Sequence, residues 1–237
     1  MQIDTLPPGT GDADLDAYVA ERLAEIRARI VGAGGTDVSV LAVTKTWPID
    51  RCFAAFRAGC PAVGENYAQE VVSKFEGVER PFGVRFIGQL QSNKVRMLVP
   101  YIDVYESVDR PSLVDELARR APGAAILVQV AAGDDTAVGA EAKGGCRLAA
   151  APALVERAAK AGLHVRGLMT VGPTHGGPEA ARHGFRAVRS LVDRLGLVEC
   201  SMGMTGDLEV AVQEGATEVR IGSALFGDRP RPGGAVR

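Results

Sequence analysis

The chain has 237 residues, 46% hydrophobic and 24% charged, and 27 basic against 29 acidic side chains leave a net charge of −2. That balance gives no sign of the basic face of a nucleic-acid or anionic-membrane binder, and one tryptophan with four tyrosines supports no base-stacking platform. No stretch approaches the roughly 20 apolar residues of a membrane span, and Met1-Gln2-Ile3-Asp4 lacks the basic and apolar regions of a signal peptide, so a cytoplasmic protein is expected.

Residues 1–12 are rich in Pro, Gly and Asp and read as a flexible N-terminus. A helix is predicted over 15–31, where Val19, Leu23, Ile26 and Ile30 recur at helical spacing before the glycines at 32–35 end it. Eight short apolar runs follow, at 38–44, 62–64, 84–89, 104–107, 125–130, 165–171, 198–202 and 218–223. Helical segments are predicted between them near 48–59, 67–77, 93–99, 110–120, 150–161, 178–195 and 206–214, with Pro48 near the start of the first. Strand and helix alternating at this spacing imply parallel pairing with right-handed crossovers, and continuous apolar runs imply strands buried on both faces. Eight such units without a composition break favour one closed (β/α)8 barrel of the TIM type over 13–228, with an extra N-terminal helix, above an open doubly wound sheet. The tail 229–237, with Arg229-Pro230-Arg231-Pro232, reads as flexible.

Lys45 stands at the end of the first run, in a chain with only five lysines. A lysine where a buried strand meets a loop is costly to desolvate while charged, so its neutral amine becomes available to attack carbonyls. Taken alone, a side chain snorkelling into water is the favoured explanation. The C-terminal ends of barrel strands form one rim, and there the last two runs bring Ser201, Gly203, Arg220, Gly222 and Ser223, with Thr205 placed to cap a helix beginning near Gly206. Hydroxyls, close-approaching backbone and one guanidinium suit a phosphate, although Gly-Ser pairs also make ordinary turns. An amine facing a phosphate site suits a ligand carrying both an aldehyde and a phosphate, either pyridoxal 5′-phosphate or the sugar phosphate of a Schiff-base aldolase. Metal is not expected. Cys52, Cys60, Cys146 and Cys200 are scattered and read as reduced, mostly buried thiols; His164, His175 and His183 have no ligand spacing; and Asp134-Asp135 reads as solvated.

Six motifs in chain order carry a resemblance: Ala42-Val43-Thr44-Lys45-Thr46, Gly64-Glu65-Asn66-Tyr67-Ala68-Gln69-Glu70, Phe86-Ile87-Gly88-Gln89-Leu90-Gln91-Ser92-Asn93-Lys94, Gly167-Leu168-Met169-Thr170, Ser201-Met202-Gly203-Met204, and Val219-Arg220-Ile221-Gly222-Ser223-Ala224-Leu225-Phe226-Gly227. Together they resemble the pyridoxal-phosphate homeostasis protein family. The resemblance implies a barrel like the N-terminal domain of alanine racemase, binding pyridoxal 5′-phosphate as an internal aldimine of Lys45. It implies Asn66 beside the cofactor ring, Ser201, Gly222 and Ser223 on the phosphate, Gly203 among the binding residues, and Arg220 near the pyridine nitrogen. A guanidinium there stays protonated and makes the ring a weaker electron sink than an aspartic acid partner would. Two positions depart from the family pattern: Arg85 stands where histidine is usual, and Ala137 where a lysine is expected.

The expected function is a non-catalytic carrier or buffer in intracellular cofactor homeostasis, a monomer whose partners are pyridoxal 5′-phosphate and apo forms of the enzymes that use it. The alternative is an amino-acid racemase. Racemisation needs a base on each face of the substrate, which alanine racemase completes with a tyrosine from a further β domain of its partner subunit; Tyr67 is the available substitute here.

Overall fold

The computed structural model describes residues 12–131 and 144–227. The expectations for both termini beyond these limits, and for Asp134, Asp135 and Ala137, lie outside the described residues. Helix α1 (Asp12–Gly32) forms because Leu15, Val19, Leu23, Ile26 and Ile30 share one face, and all five are buried. That face packs against α2 (Ile49–Ala58), α8 (Leu208–Gln213) and α9 (Ser223–Phe226). Arg29 fastens it to α8 through a two-pronged contact with Glu209, at 2.7 and 3.0 Å.

Strands β1 (Ser39–Val43), β2 (Ala62–Glu65), β3 (Gly83–Phe86), β4 (Val104–Val108) and β5 (Ala125–Ala131) alternate with α2, α3 (Ala68–Phe75), α4 (Val95–Leu98) and α5 (Pro111–Arg120). After the two-residue β6 (Cys146–Arg147), helix α6 (Ala151–Lys160) leads to β7 (His164–Thr170), α7 (Arg182–Arg194), β8 (Glu199–Ser201), α8 and β9 (Glu218–Ile221). Every strand pair is parallel, β4 joins β5, and β9 joins β1, so eight strands close a ring and β6 lies outside it against β5. The closed barrel is therefore the architecture, and the open sheet is excluded. Among the described residues no helix is long and apolar enough to cross a membrane.

Alternation along each strand sends one set of side chains outward to the helices and the other into the barrel. The outward set, including Val40, Val63, Phe86, Val128 and Leu168, joins the helices in one large apolar core. Inside, Val104, Leu127 and Met169 form a small separate apolar cluster, and Leu41 and Val43 are further buried apolar side chains that stand outside the large core. The rest departs from the apolar interior that the continuous runs suggested. Arg85 Nη1 lies 3.2 Å from Glu106 Oε1, 2.9 Å from Glu199 Oε2 and 3.2 Å from Glu218 Oε2. Ser201 Oγ lies 2.9 Å from both Glu106 Oε2 and Glu218 Oε1 and accepts from Arg220 Nη1 at 2.8 Å. Glu199 also pairs with Arg166 near the start of β7. Burial, then the neighbouring charge of Glu106, holds the Glu218 carboxyl well above the ordinary carboxylate range.

Candidate functional site

The strand ends of the barrel frame a cavity of about 530 Å³. Lys45 follows the last residue of β1 by two positions and lines this cavity, half-buried in a turn that leads to α2. Pro48 caps α2, as its fixed φ allows. Asn66 enters the wall just past β2, Arg220 from β9, and Gly222 and Ser223 from the turn that opens α9. Five of the seven sequence-predicted site residues thus share one wall.

The other two are placed differently. Ser201 is fully buried, with its hydroxyl engaged below the cavity by Glu106, Glu218 and Arg220. It meets a potential ligand only through Arg220. Gly203 is not among the lining residues; its φ of 94° and the 2.4 Å that would separate an added Cβ from Ala211 Cβ show a packing reason for glycine, the close approach of α8. Thr205 lines the cavity but caps no helix. Helix α8 begins at Leu208, and Asp207 before it accepts the Met204 N–H at 2.6 Å.

Gln129 of β5 is a lining residue that the sequence reading missed. Its signal was a carboxamide inside the run Ala125-Ile126-Leu127-Val128-Gln129-Val130, where a buried polar group requires a partner. Cys52, Cys60 and Cys200 are buried, and burial pushes each thiol up to about 12; Cys146 is half-buried and lies at about 11 for the same main reason. None lines the cavity.

Arg220 is anchored by two donors, Nη1 to Ser201 Oγ and Nη2 to the Thr170 carbonyl at 2.6 Å, so its charge is held at a fixed height in the wall. Asn66 carries a buried Oδ1 with no hydrogen-bond partner among the described residues. An orphaned carboxamide oxygen on a cavity wall is costly unless a ligand meets it, and a half-turn of the amide offers NH2 instead. Gly88 sets where Asn66 stands, because an added Cβ would fall 2.1 Å from the Asn66 carbonyl oxygen. Gly88→Ala is expected to cost about 1–3 kcal/mol by overpacking and to shift Asn66. A urea unfolding midpoint unchanged from the parent would show that β2 and β3 absorb the methyl freely.

The alanine racemase N-terminal domain model matches residues 14–230. A relative named pyridoxal phosphate homeostasis protein, from Pseudomonas aeruginosa, is 39% identical over 89% of this chain and 96% of its own length. The chain belongs to the pyridoxal phosphate homeostasis protein family. Among solved structures, an unknown protein from Bifidobacterium adolescentis superimposes with a TM-score of 0.81 at 33% identity, over 93% of this chain and 98% of the other. PipY of Synechococcus elongatus PCC7942, a structure with PLP bound, gives 0.76 at 30% identity, over 88% and 100%. Within this family frame, Arg85 is the counter-charge for three interior carboxylates.

Proposed function

We propose that this chain binds pyridoxal 5′-phosphate through Lys45 and serves as a non-catalytic carrier and buffer of it. The reading is carried by one observation: Lys45, Asn66 with its orphaned Oδ1, the anchored Arg220 and the Gly222-Ser223 turn share the wall of a single cavity. When bound, the cofactor supplies an aldehyde that condenses with a neutral lysine amine and releases one water. The rest falls to the protein. The Gly222-Ser223 turn offers a hydroxyl and first-turn amides toward the phosphate, Asn66 meets the ring hydroxyl, and Arg220 faces the ring nitrogen without being able to surrender its proton. The binding residues for this reading are Lys45, Asn66, Arg220, Gly222 and Ser223, with Ser201 as the support of Arg220 and Gly203 as a packing residue.

The racemase alternative needs two bases. Among the described lining residues Lys45 is the one amine, and Tyr67 is half-exposed at the start of α3 and does not line the cavity. The reading extends to a monomer acting in the cytoplasm and passing cofactor to apo forms of the enzymes that require it. It is tested by incubation with pyridoxal 5′-phosphate, borohydride reduction and peptide mass analysis, followed by transfer to an apoenzyme and chiral assay of several L-amino acids. A pyridoxyl group on Lys45, restored apoenzyme activity and retained chirality are expected. Loss of chirality at enzyme-like turnover, abolished by Lys45→Ala, would replace the carrier by a racemase.

A further inference from the structure

Lys74 lies on α3, where a lysine on an amphipathic helix is ordinarily a solvated charge, yet its side chain is only 5% exposed. Its ammonium has three donors, and the structure uses all of them: 2.7 Å to Glu65 Oε1, 2.8 Å to Glu70 Oε1 and 2.9 Å to the carbonyl of Thr44. The two carboxylates then reach the residues on either side of Lys45. Thr44 Oγ1 donates to Glu65 Oε1 at 2.6 Å, and the Thr46 N–H donates to Glu70 Oε1 at 2.6 Å. Thr46 has φ of 67°, and it is the one described residue other than glycine in that region. A β-branched side chain is disfavoured there and persists only when its surroundings impose it.

We infer that Lys74 is a positioning residue for Lys45: one buried ammonium clamps the chain on both sides of the amine at the cavity wall, holding Thr44 directly at its carbonyl and through Glu65 at its hydroxyl, and Thr46 through Glu70 at its N–H. The inference rests on the reading of Lys45 as the cofactor-binding lysine. β1 ends at Val43, so Lys45 stands in a turn past the strand, and the clamp holds the residues on either side of it. It also explains why the pair is buried although exposed pairs of this spacing are common: each partner has a second task on the Lys45 turn. Burial pulls Lys74 down, but the charge of Glu65 and hydrogen bonds to Glu65 and Glu70 outweigh it and raise the ammonium, while burial raises Glu65 against the pull of Lys74.

Glu70→Ala removes the Thr46 tie and leaves the Lys74–Glu65 pair intact; Glu70→Gln keeps an oxygen that accepts the Thr46 N–H; Lys74→Met removes all three donors. Two measurements are made on the full chain: amide hydrogen exchange at Lys45 and Thr46 without ligand, and the rate of the absorbance change on mixing with pyridoxal 5′-phosphate. Glu70→Ala and Lys74→Met are expected to speed exchange and slow the absorbance change by about ten-fold each, with Glu70→Gln close to the parent. A purely structural pair would lower the thermal midpoint without moving the rate in the folded protein. Parent-like exchange and rate in folded Glu70→Ala would overturn the clamp, and this variant decides alone where Lys74→Met does not fold. If the parent itself gives no absorbance change while exchange responds as expected, the cofactor reading falls and the clamp stands.

Discussion

Lys45→Ala will carry less than about 1% of the borohydride-fixed cofactor that the parent carries, and its solution will lack the coloured band of the covalent linkage. The size of the effect follows from the composition of the cavity wall. Apolar side chains, carboxamides, a guanidinium, hydroxyls and backbone line it among the described residues, and apart from Lys45 none supplies an amine. Lys74 cannot take over. Its three donors are committed, and the adjacent carboxylates hold it as an ammonium, which has no lone pair for a carbonyl. Arg220 and the Gly222-Ser223 turn remain in the variant, so weak non-covalent uptake is expected, removed by gel filtration but not by lack of folding. Mass analysis after reduction separates the two forms of binding. A pyridoxyl group recovered on another lysine of the variant would place the reactive amine elsewhere and dismantle the site as assigned.

Arg85→Met is the substitution expected to cost most in stability. It leaves Glu106, Glu199 and Glu218 around a vacated counter-charge, with Glu106 and Glu218 fully or almost fully buried. Breaking a buried ion pair by removing one partner costs roughly 3–5 kcal/mol, and for a domain of this size that lowers the thermal midpoint by on the order of 10 °C. The pH dependence has a definite sign. The folded-state carboxyl of Glu218 is raised, so its contribution is fully present below the ordinary carboxylate range and is lost as pH rises through the folded value. Arg85 moderates that rise, and without it the loss deepens. The deficit of Arg85→Met relative to the parent should therefore shrink toward pH 4–5 and widen toward neutrality, and adding Glu199→Gln should recover part of it. Scanning calorimetry across that range checks the claim. A midpoint within about 2 °C of the parent at neutral pH would mean that water replaces the guanidinium at little cost.

Much of this architecture is legible in the chain because it depends on local pattern. Eight apolar runs separated by helical segments give the barrel strands within a residue or a few at each end, whereas β6 and α9 escape detection at two and four residues long. Lys45 is visible as a charge directly after an apolar run. Lys74 is not, because an amphipathic helix predicts exposure, and it is buried against Glu65 from the preceding strand; the i, i+4 spacing to Glu70 was the available hint. Ser201 illustrates parity. It alternates with Cys200, whose side chain joins the outer apolar core, so Ser201 points into the barrel and supports Arg220 from below. Arg85 and Arg220 obey the same rule: each charge sits between apolar neighbours that face the helices, and Glu218 shares the face of Arg220 two residues away, a pattern that marks an ionic interior once the strands are known to close.

That ionic interior also sets how the molecule responds to temperature. Unfolding a barrel filled with Val, Ile and Leu exposes apolar surface and raises the heat capacity by about 0.45 cal/K/mol per Å², whereas exposing polar surface lowers it by about 0.26. With Arg85, Glu106, Gln129, Glu199, Ser201, Glu218 and Arg220 occupying strands of the ring, part of the first quantity is exchanged for the second. The curve of stability against temperature is flattened relative to an apolar-filled barrel of equal size, and cold weakens this centre less than it would weaken a hydrocarbon one.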